Sequence, residues 1–151
     1  LKLELAMCMF SWLRLGLARR RWRVEQDALR ERLIEHDDCL EWSPSIDAAA
    51  NGRRRINLIG GLDISFFSDG GNPSDDRACA ALIVCRFDDA QEEMTVVWED
   101  FRFIRMTEPY IAGFLAFREA PHYCAMLQKL ASERPDLLPD VVLVDGNGVL
   151  H

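Results

Sequence analysis

Three acids, Asp63 in GLDISF, Glu119 in FLAFRE and Asp145 in VDGNG, are the residues of this chain best suited to chemistry. Asp145 follows the apolar run Val141–Val144 and is followed by Gly146, Asn147 and Gly148, which allow a sharp turn and a close backbone approach to a bound group. Carboxylates are hard oxygen donors. A set of them holds Mg²⁺, with Mn²⁺ as a substitute, and two such ions about 3.5 to 4 Å apart support phosphodiester hydrolysis: one generates hydroxide and the other stabilises the leaving oxygen. This chemistry requires no Ser/His/Asp set. Neither G-x-G-x-x-G nor GxxxxGK[ST] occurs, so a nucleotide fold of those kinds is the weaker reading. Taken one by one, each acid has a simpler explanation. Asp145 opens a turn, and Glu119 is a solvated residue near a helix N-terminus. Their company favours a site.

The elements that must position these acids follow from hydropathy. Val141–Val144 has no period-two alternation, which suits a parallel strand buried on both faces, with Asp145 at the carboxyl end where open α/β sheets place ligands. From Asn57 the period is two. Leu58, Leu62, Ile64 and Phe66 share one face, and Ile59, Gly61, Asp63 and Ser65 the other, so Asp63 points away from the most apolar side. The turn-rich SDGGNPSDD (Ser68–Asp76) leads into a strand over Arg77–Phe87. After another turn, Thr95–Met106 alternates Phe101 and Phe103 with Arg102 and Ile104, completing a three-stranded antiparallel meander. Helical signals return after Pro109. Pro121 restricts Ala120 to extended geometry and is expected to interrupt or restart the helix, leaving Glu119 at the break and a stripe of Cys124, Leu127, Leu130 and Ala131 beyond it.

At 151 residues and 49% hydrophobic, the chain is long enough and apolar enough for one core. Lys+Arg 18 against Asp+Glu 25 gives a net charge of −7, which argues against blanket attraction to nucleic acid or anionic membrane. Local basic runs, Arg19–Arg23 and Arg53–Arg55, can still touch phosphates. Five cysteines, an odd number without C-x-x-C spacing, read as reduced, buried thiols of an intracellular protein. Residues 1–18 are too polar to cross a bilayer and form an uninformative amphipathic leader. Arg19–His36, with Trp22, Leu29 and Leu33 near helical spacing, is an amphipathic helix expected to pack on the sheet, and Ser43–Gly52 is a loop.

Strand, strand, strand, helix, strand, with acids on the first strand, in the helical segment and ending the fourth strand, is the layout of RNase H-like nucleases. GLDISF (Gly61–Phe66), PYIAGFLAFRE (Pro109–Glu119) and VDGNGVLH (Val144–His151) together resemble endonuclease V, the inosine-directed nuclease, and WRVEQDALRERL (Trp22–Leu33) resembles its N-terminal helix. The resemblance implies an α/β, RNase H-like mixed sheet with flanking helices, made by residues 19–151 and incomplete at the C-terminus. It makes Asp63, Glu119 and Asp145 the catalytic metal ligands. Pro109, Tyr110 and Ile111 correspond to the wedge that inserts beside an extruded base; Gly113, Leu115 and Gly146 fall in the base pocket, and His151 near the nucleic-acid strand. Ala112 replaces the proline of bacterial PYIPG, and Asn147 stands where bacterial members often have His. Both resemble the eukaryotic branch, which implies a preference for inosine in RNA over deoxyinosine in DNA.

The expected partner is thus inosine-containing RNA or DNA, with no membrane association, in a protein that is monomeric when complete and resides in cytoplasm and nucleus or nucleolus. Family members continue past the motif histidine to a lysine and a further metal ligand that have no counterpart here. The expectation is therefore a fragment unstable or inactive by itself. A rival reading is a non-catalytic form acting at most as an inosine-nucleic-acid binding or interaction module.

Overall fold

A computed structural model describes residues 2–35, 42–43, 54–67, 76–88 and 93–146. The order is α1 (Lys2–Arg30), β1 (Trp42–Ser43), β2 (Arg54–Arg55), β3 (Leu58–Phe66), β4 (Arg77–Asp88), β5 (Glu93–Arg105), α2 (Leu115–Glu133), a 3₁₀ turn at Pro135–Leu137, and β6 (Val141–Val144). The main sheet runs β5-β4-β3-β6. The first three strands are antiparallel neighbours, and β6 lies parallel to β3, as the alternation and the doubly apolar run led us to expect. Ser43, read from the sequence as the start of a loop, instead pairs in parallel with Arg55 in the two-residue β1–β2 ladder.

Period two sorts the sheet into two faces. Leu58, Leu62 and Ile64 of β3 and Ala78, Ala80, Leu82 and Val84 of β4 are buried in one cluster with Tyr123, Met126 and Leu130 of α2. The alternate residues, Ile59, Gly61 and Asp63 with Cys79, Ala81 and Ile83, are half-buried or exposed. Phe66 departs from the expected face pattern: it is 45% exposed at the strand end, under the guanidinium of Arg118 at 5.4 Å. Val141 and Val142 of β6 are half-buried while Leu143 and Val144 are exposed, so the double burial read from the sequence is not met here. Cys79 and Cys85 are half-buried and Cys124 is exposed, rather than all buried.

Both helices differ from expectation. α2 runs unbroken through Pro121. Proline removes the bond to the carbonyl of Phe117, at about 3 kcal/mol in an isolated helix interior. Burying Tyr123, Met126 and Leu130 against the sheet, at about 1.5 to 3 kcal/mol for each large apolar side chain, outweighs that loss. The buried stripe is Glu119, Tyr123, Met126 and Leu130, spaced by four, three and four residues; Cys124 and Ala131 of the expected stripe are exposed. α1 is one helix without interruption at Ala18. Among its described side chains Trp22 alone is buried, stacked on Phe117 at 5.3 Å and tilted against Phe114 at 6.2 Å, whereas Leu29 and Leu33 are exposed.

Candidate active site

The position of Asp145 relative to Asp63 depends on how β6 registers on β3. Asp140 sets it: its Oδ2 accepts the backbone N–H groups of Asn57 (2.9 Å) and Leu58 (3.0 Å), and its own N–H donates to the carbonyl of Leu58 (2.9 Å). Next to this clamp the chain ahead of β6 crosses Gly60 so closely that a Cβ there would lie 3.0 Å from Pro139 Cγ. A larger residue there would require the Pro139 ring to give way by a few tenths of an ångström. The resulting ladder pairs Ile59 with Val141 and Leu62 with Val144. One step further brings Asp63 level with Asp145, and side chains level across neighbouring strands share a face. Both acids are exposed and line one concavity of about 470 Å³ together with Gly61, Ala81 and Leu143.

Glu119 comes from the helix side. It is 6% exposed, the one buried charged residue among those described. Burial pushes its carboxyl above the ordinary range, and the charges of Asp145 and Asp63 push it further. A hydrogen bond from the Tyr123 hydroxyl to Oε2, long at 3.5 Å, and the nearby Arg118 offset this only in part. The Tyr123 phenol is likewise pushed up, first by burial and then by Glu119, Asp63 and Asp145. The three acids therefore lie within electrostatic reach of one another, with a surplus of negative charge. Such a donor set suits a hard divalent cation, which would relieve the repulsion. Among the described residues no three Asp, Glu, His or Cys side chains are already gathered as a ligand cluster. The donor types fit Mg²⁺ or Mn²⁺, and Asp63 and Asp145 would have to turn toward Glu119 to hold it.

The loop between β5 and α2 is pinned at both ends. Arg118 Nε donates to the carbonyl of Glu108 (2.9 Å), Phe114 N–H to that of Ile111 (3.0 Å), and Gln26 of α1 to that of Gly113 (3.1 Å). Gly113 has φ +83, where a Cβ would be strained. Between the pins Pro109 and Ile111 are half-buried, and Tyr110 projects, 67% exposed. Leu115 begins α2 at the surface, and Gly146 follows Asp145, also exposed. His151 lies outside the described residues. Sequence reasoning passed over Asp140, Tyr123, Arg118 and Gln26. Only Tyr123 left a signal, its i, i+4 spacing from Glu119; the others act through backbone contacts that no local pattern announces.

A family model described as Endonuclease V matches residues 41–151, so α1 precedes it. Mouse endonuclease V is 40% identical over 131 residues, covering 86% of this chain and 34% of its own length. Human endonuclease V is 41% identical over 130 residues, covering 86% and 41%. The chain thus spans between a third and about two fifths of these curated relatives. Among solved structures, the catalytic domain of human endonuclease V superposes with a TM-score of 0.68 at 37% identity, covering 89% of this chain and 49% of that one. The Ciona intestinalis enzyme in complex with a 23mer DNA containing an inosine followed by a ribo-adenosine gives 0.65 at 26% identity, covering 89% and 48%. The mixed sheet is accordingly the RNase H-like arrangement of these neighbours.

Proposed function

This chain belongs to the endonuclease V family, and on that premise we propose that it carries the acidic centre of a divalent-metal-dependent endonuclease that cuts a strand near inosine. The observation that supports the reading is that Asp63 and Asp145, one step beyond the Leu62–Val144 pair of the β3–β6 ladder, line one concavity within electrostatic reach of the buried Glu119 of α2. Asp63, Glu119 and Asp145 would hold Mg²⁺ or Mn²⁺, and the ion would supply an activated water and charge neutralisation at the phosphate. Tyr123 orients Glu119 through its hydroxyl. Pinned Tyr110, flanked by Pro109 and Ile111, takes the place of a base turned out of the stack, since an aromatic ring replaces lost stacking at modest cost. Gly113, Leu115 and Gly146 border the space for that base, with His151 toward the strand. The departures at Ala112 and Asn147 support RNA as the preferred strand, and the inosine-containing complex of the Ciona relative supports the lesion.

The absence of a gathered ligand cluster among the described residues favours a second reading, a module that binds the inosine-containing strand without cutting it. One experiment separates them. The 151-residue chain is incubated with end-labelled RNA carrying inosine or adenosine at one position, in Mg²⁺ or EDTA, and both cleavage and retention on a filter are measured. Mg²⁺-dependent cutting confined to the inosine strand supports the nuclease reading and overturns the expectation that these residues are inactive by themselves. Retention without cutting selects the module, and an intact strand that is not retained overturns both readings.

A further inference from the structure

The sheet face that bears Asp63 also bears three phenylalanines, Phe67, Phe101 and Phe103, that remain exposed among the described residues. Cross-strand pairing puts Phe101 level with Ala81 and Asp63, and Phe103 level with Cys79 and Ser65. Residues level across a ladder share a face, so both rings project on the side of the carboxylates and away from α2. Phe101 is 59% exposed and Phe103 85%. At the end of β3, Phe67 turns toward the same place and stacks on Phe103, centroids 6.0 Å apart and planes 29° from parallel. The Arg77 guanidinium stands 6.0 Å above the Phe67 ring. Arg105, level with Arg77, completes the rim, and its charge is shared with Asp76 at 2.7 Å. Phe67, Phe103, Arg77 and Arg105 together line a cleft of about 410 Å³.

Exposed rings interleaved with guanidinium groups have a chemical meaning. An apolar protein segment laid over Phe103 would desolvate Arg77 and Arg105 as well, which is costly. A single nucleic-acid strand satisfies both kinds of group, because its bases stack on aromatic faces and its phosphates take the charge. The spacing also fits. Phe101 is two strand intervals from Asp63, about 10 Å, so a strand lying across the sheet reaches both.

We propose that Phe103 and Phe67, rimmed by Arg77 and Arg105, form a stacking platform for an unpaired base of the bound strand, a few nucleotides from the carboxylates Asp63, Glu119 and Asp145. The identity of the strand rests on the nuclease reading above. The platform itself is a property of this surface. It binds by stacking and charge, without choosing among bases and without metal, and so acts on how firmly the strand is held rather than on where it is cut.

The test is fluorescence anisotropy of the 151-residue chain with labelled uridine and deoxythymidine homopolymers of about twelve nucleotides, in EDTA. Phe103→Ala weakens binding by about 5- to 150-fold, the range of one lost base stack, while Phe103→Trp binds at least as tightly as the parent. Phe103→Leu, apolar but not aromatic, falls with Ala. Phe103 is almost fully exposed, so these variants should fold, and unchanged circular dichroism melts verify it. Equal affinity of Phe103→Ala and parent overturns the platform while leaving Mg²⁺-dependent inosine cleavage, measured separately, to decide the nuclease reading. Loss in Ala with full retention in Leu also overturns it and makes the site a hydrophobic contact. A parent chain that binds neither homopolymer overturns it as well, and a parent dimer dissolved by Phe103→Ala with no change in strand affinity makes this face an interface between copies.

Discussion

Leu82 and Phe101 sit one residue apart in register on neighbouring strands, yet Leu82 is 0% exposed beneath α2 and Phe101 is 59% exposed on the opposite face. On the α2 side every described β4 residue from Ala78 to Val84 that points inward is fully buried, and the acid there is compensated: Asp100 accepts from Arg102 (2.8 Å) and Lys129 (3.2 Å), while the buried Trp98 Nε1 has no hydrogen-bond partner among the described residues. Burial pushes the Asp100 carboxyl up, but the two cations more than reverse this and hold it below the ordinary range. On the other side Asp63 and Asp145 have no ion-paired cation among the described residues, and Glu119 of α2 is pushed up by burial and by their charges. The same fold thus pairs Asp100 with two cations and leaves Glu119 only partly offset by Tyr123 and Arg118. An acid whose repulsion goes unrelieved in the protein is a group waiting for a ligand.

That contrast is broken or sharpened by substitution. The largest effect is expected for Asp63→Asn, which should bring Mg²⁺-dependent cleavage of inosine RNA to background while leaving the melting temperature where it was; cleavage within a few fold of the parent would remove Asp63 from the site. Leu82→Ala should do the reverse, lowering stability to denaturant by about 2 to 5 kcal/mol through an unfilled cavity, and a loss below about 1 kcal/mol would mean that the face is less tightly packed than its burial indicates.

Asp140→Ala links the faces to the register. It leaves two backbone N–H groups without their charged acceptor and should cost about 1.5 to 3 kcal/mol in urea unfolding. It should also loosen the Asp63–Asp145 pairing, seen as faster hydrogen exchange in β6 than in β4. Equal exchange in both strands would show that Pro139 against Gly60 holds the register without the clamp.

The smallest effect concerns Glu119. Its folded-state carboxyl titrates above the ordinary 4.5, so the folded state holds the proton more tightly than the unfolded chain. Stability therefore falls as pH rises from 4.5 through the raised value, and the full penalty is present above it. Glu119→Gln should raise the melting temperature at pH 7 by about 2 to 4 °C, corresponding to roughly 1 kcal/mol for a chain of this size. The gain should vanish as pH is lowered toward 4.5, and added Mg²⁺ should narrow the gap by stabilising the parent alone. A melting temperature that drops in Glu119→Gln at every pH would show that the Tyr123 contact outweighs the repulsion.

Local pattern alone determined much of this protein. The period-two alternation of Leu58–Ile64 and of Arg77–Phe87 placed the meander and turned Asp63 away from the apolar side, because neighbouring side chains on a strand must point to opposite faces whatever lies beyond. The motifs around Asp63, Glu119 and Asp145 likewise pointed to a family and a chemistry. Tertiary structure alone decided how those acids meet. Pro121 argued for a broken helix, but the cluster formed by Tyr123, Met126 and Leu130 with β3 and β4 keeps α2 continuous and rotates Glu119, rather than Cys124, inward. Trp22 is buried because Phe114 and Phe117 happen to lie opposite it, while Leu29 on the same helix finds no partner among the described residues. The register that sets Asp63 beside Asp145 rests on Asp140 bonding to Asn57 and Leu58 across 83 and 82 positions of sequence. Periodicity is a property of residues a few positions apart and is legible in them; helix phase and strand register are settled by contacts between distant segments, which exist only once the chain has folded.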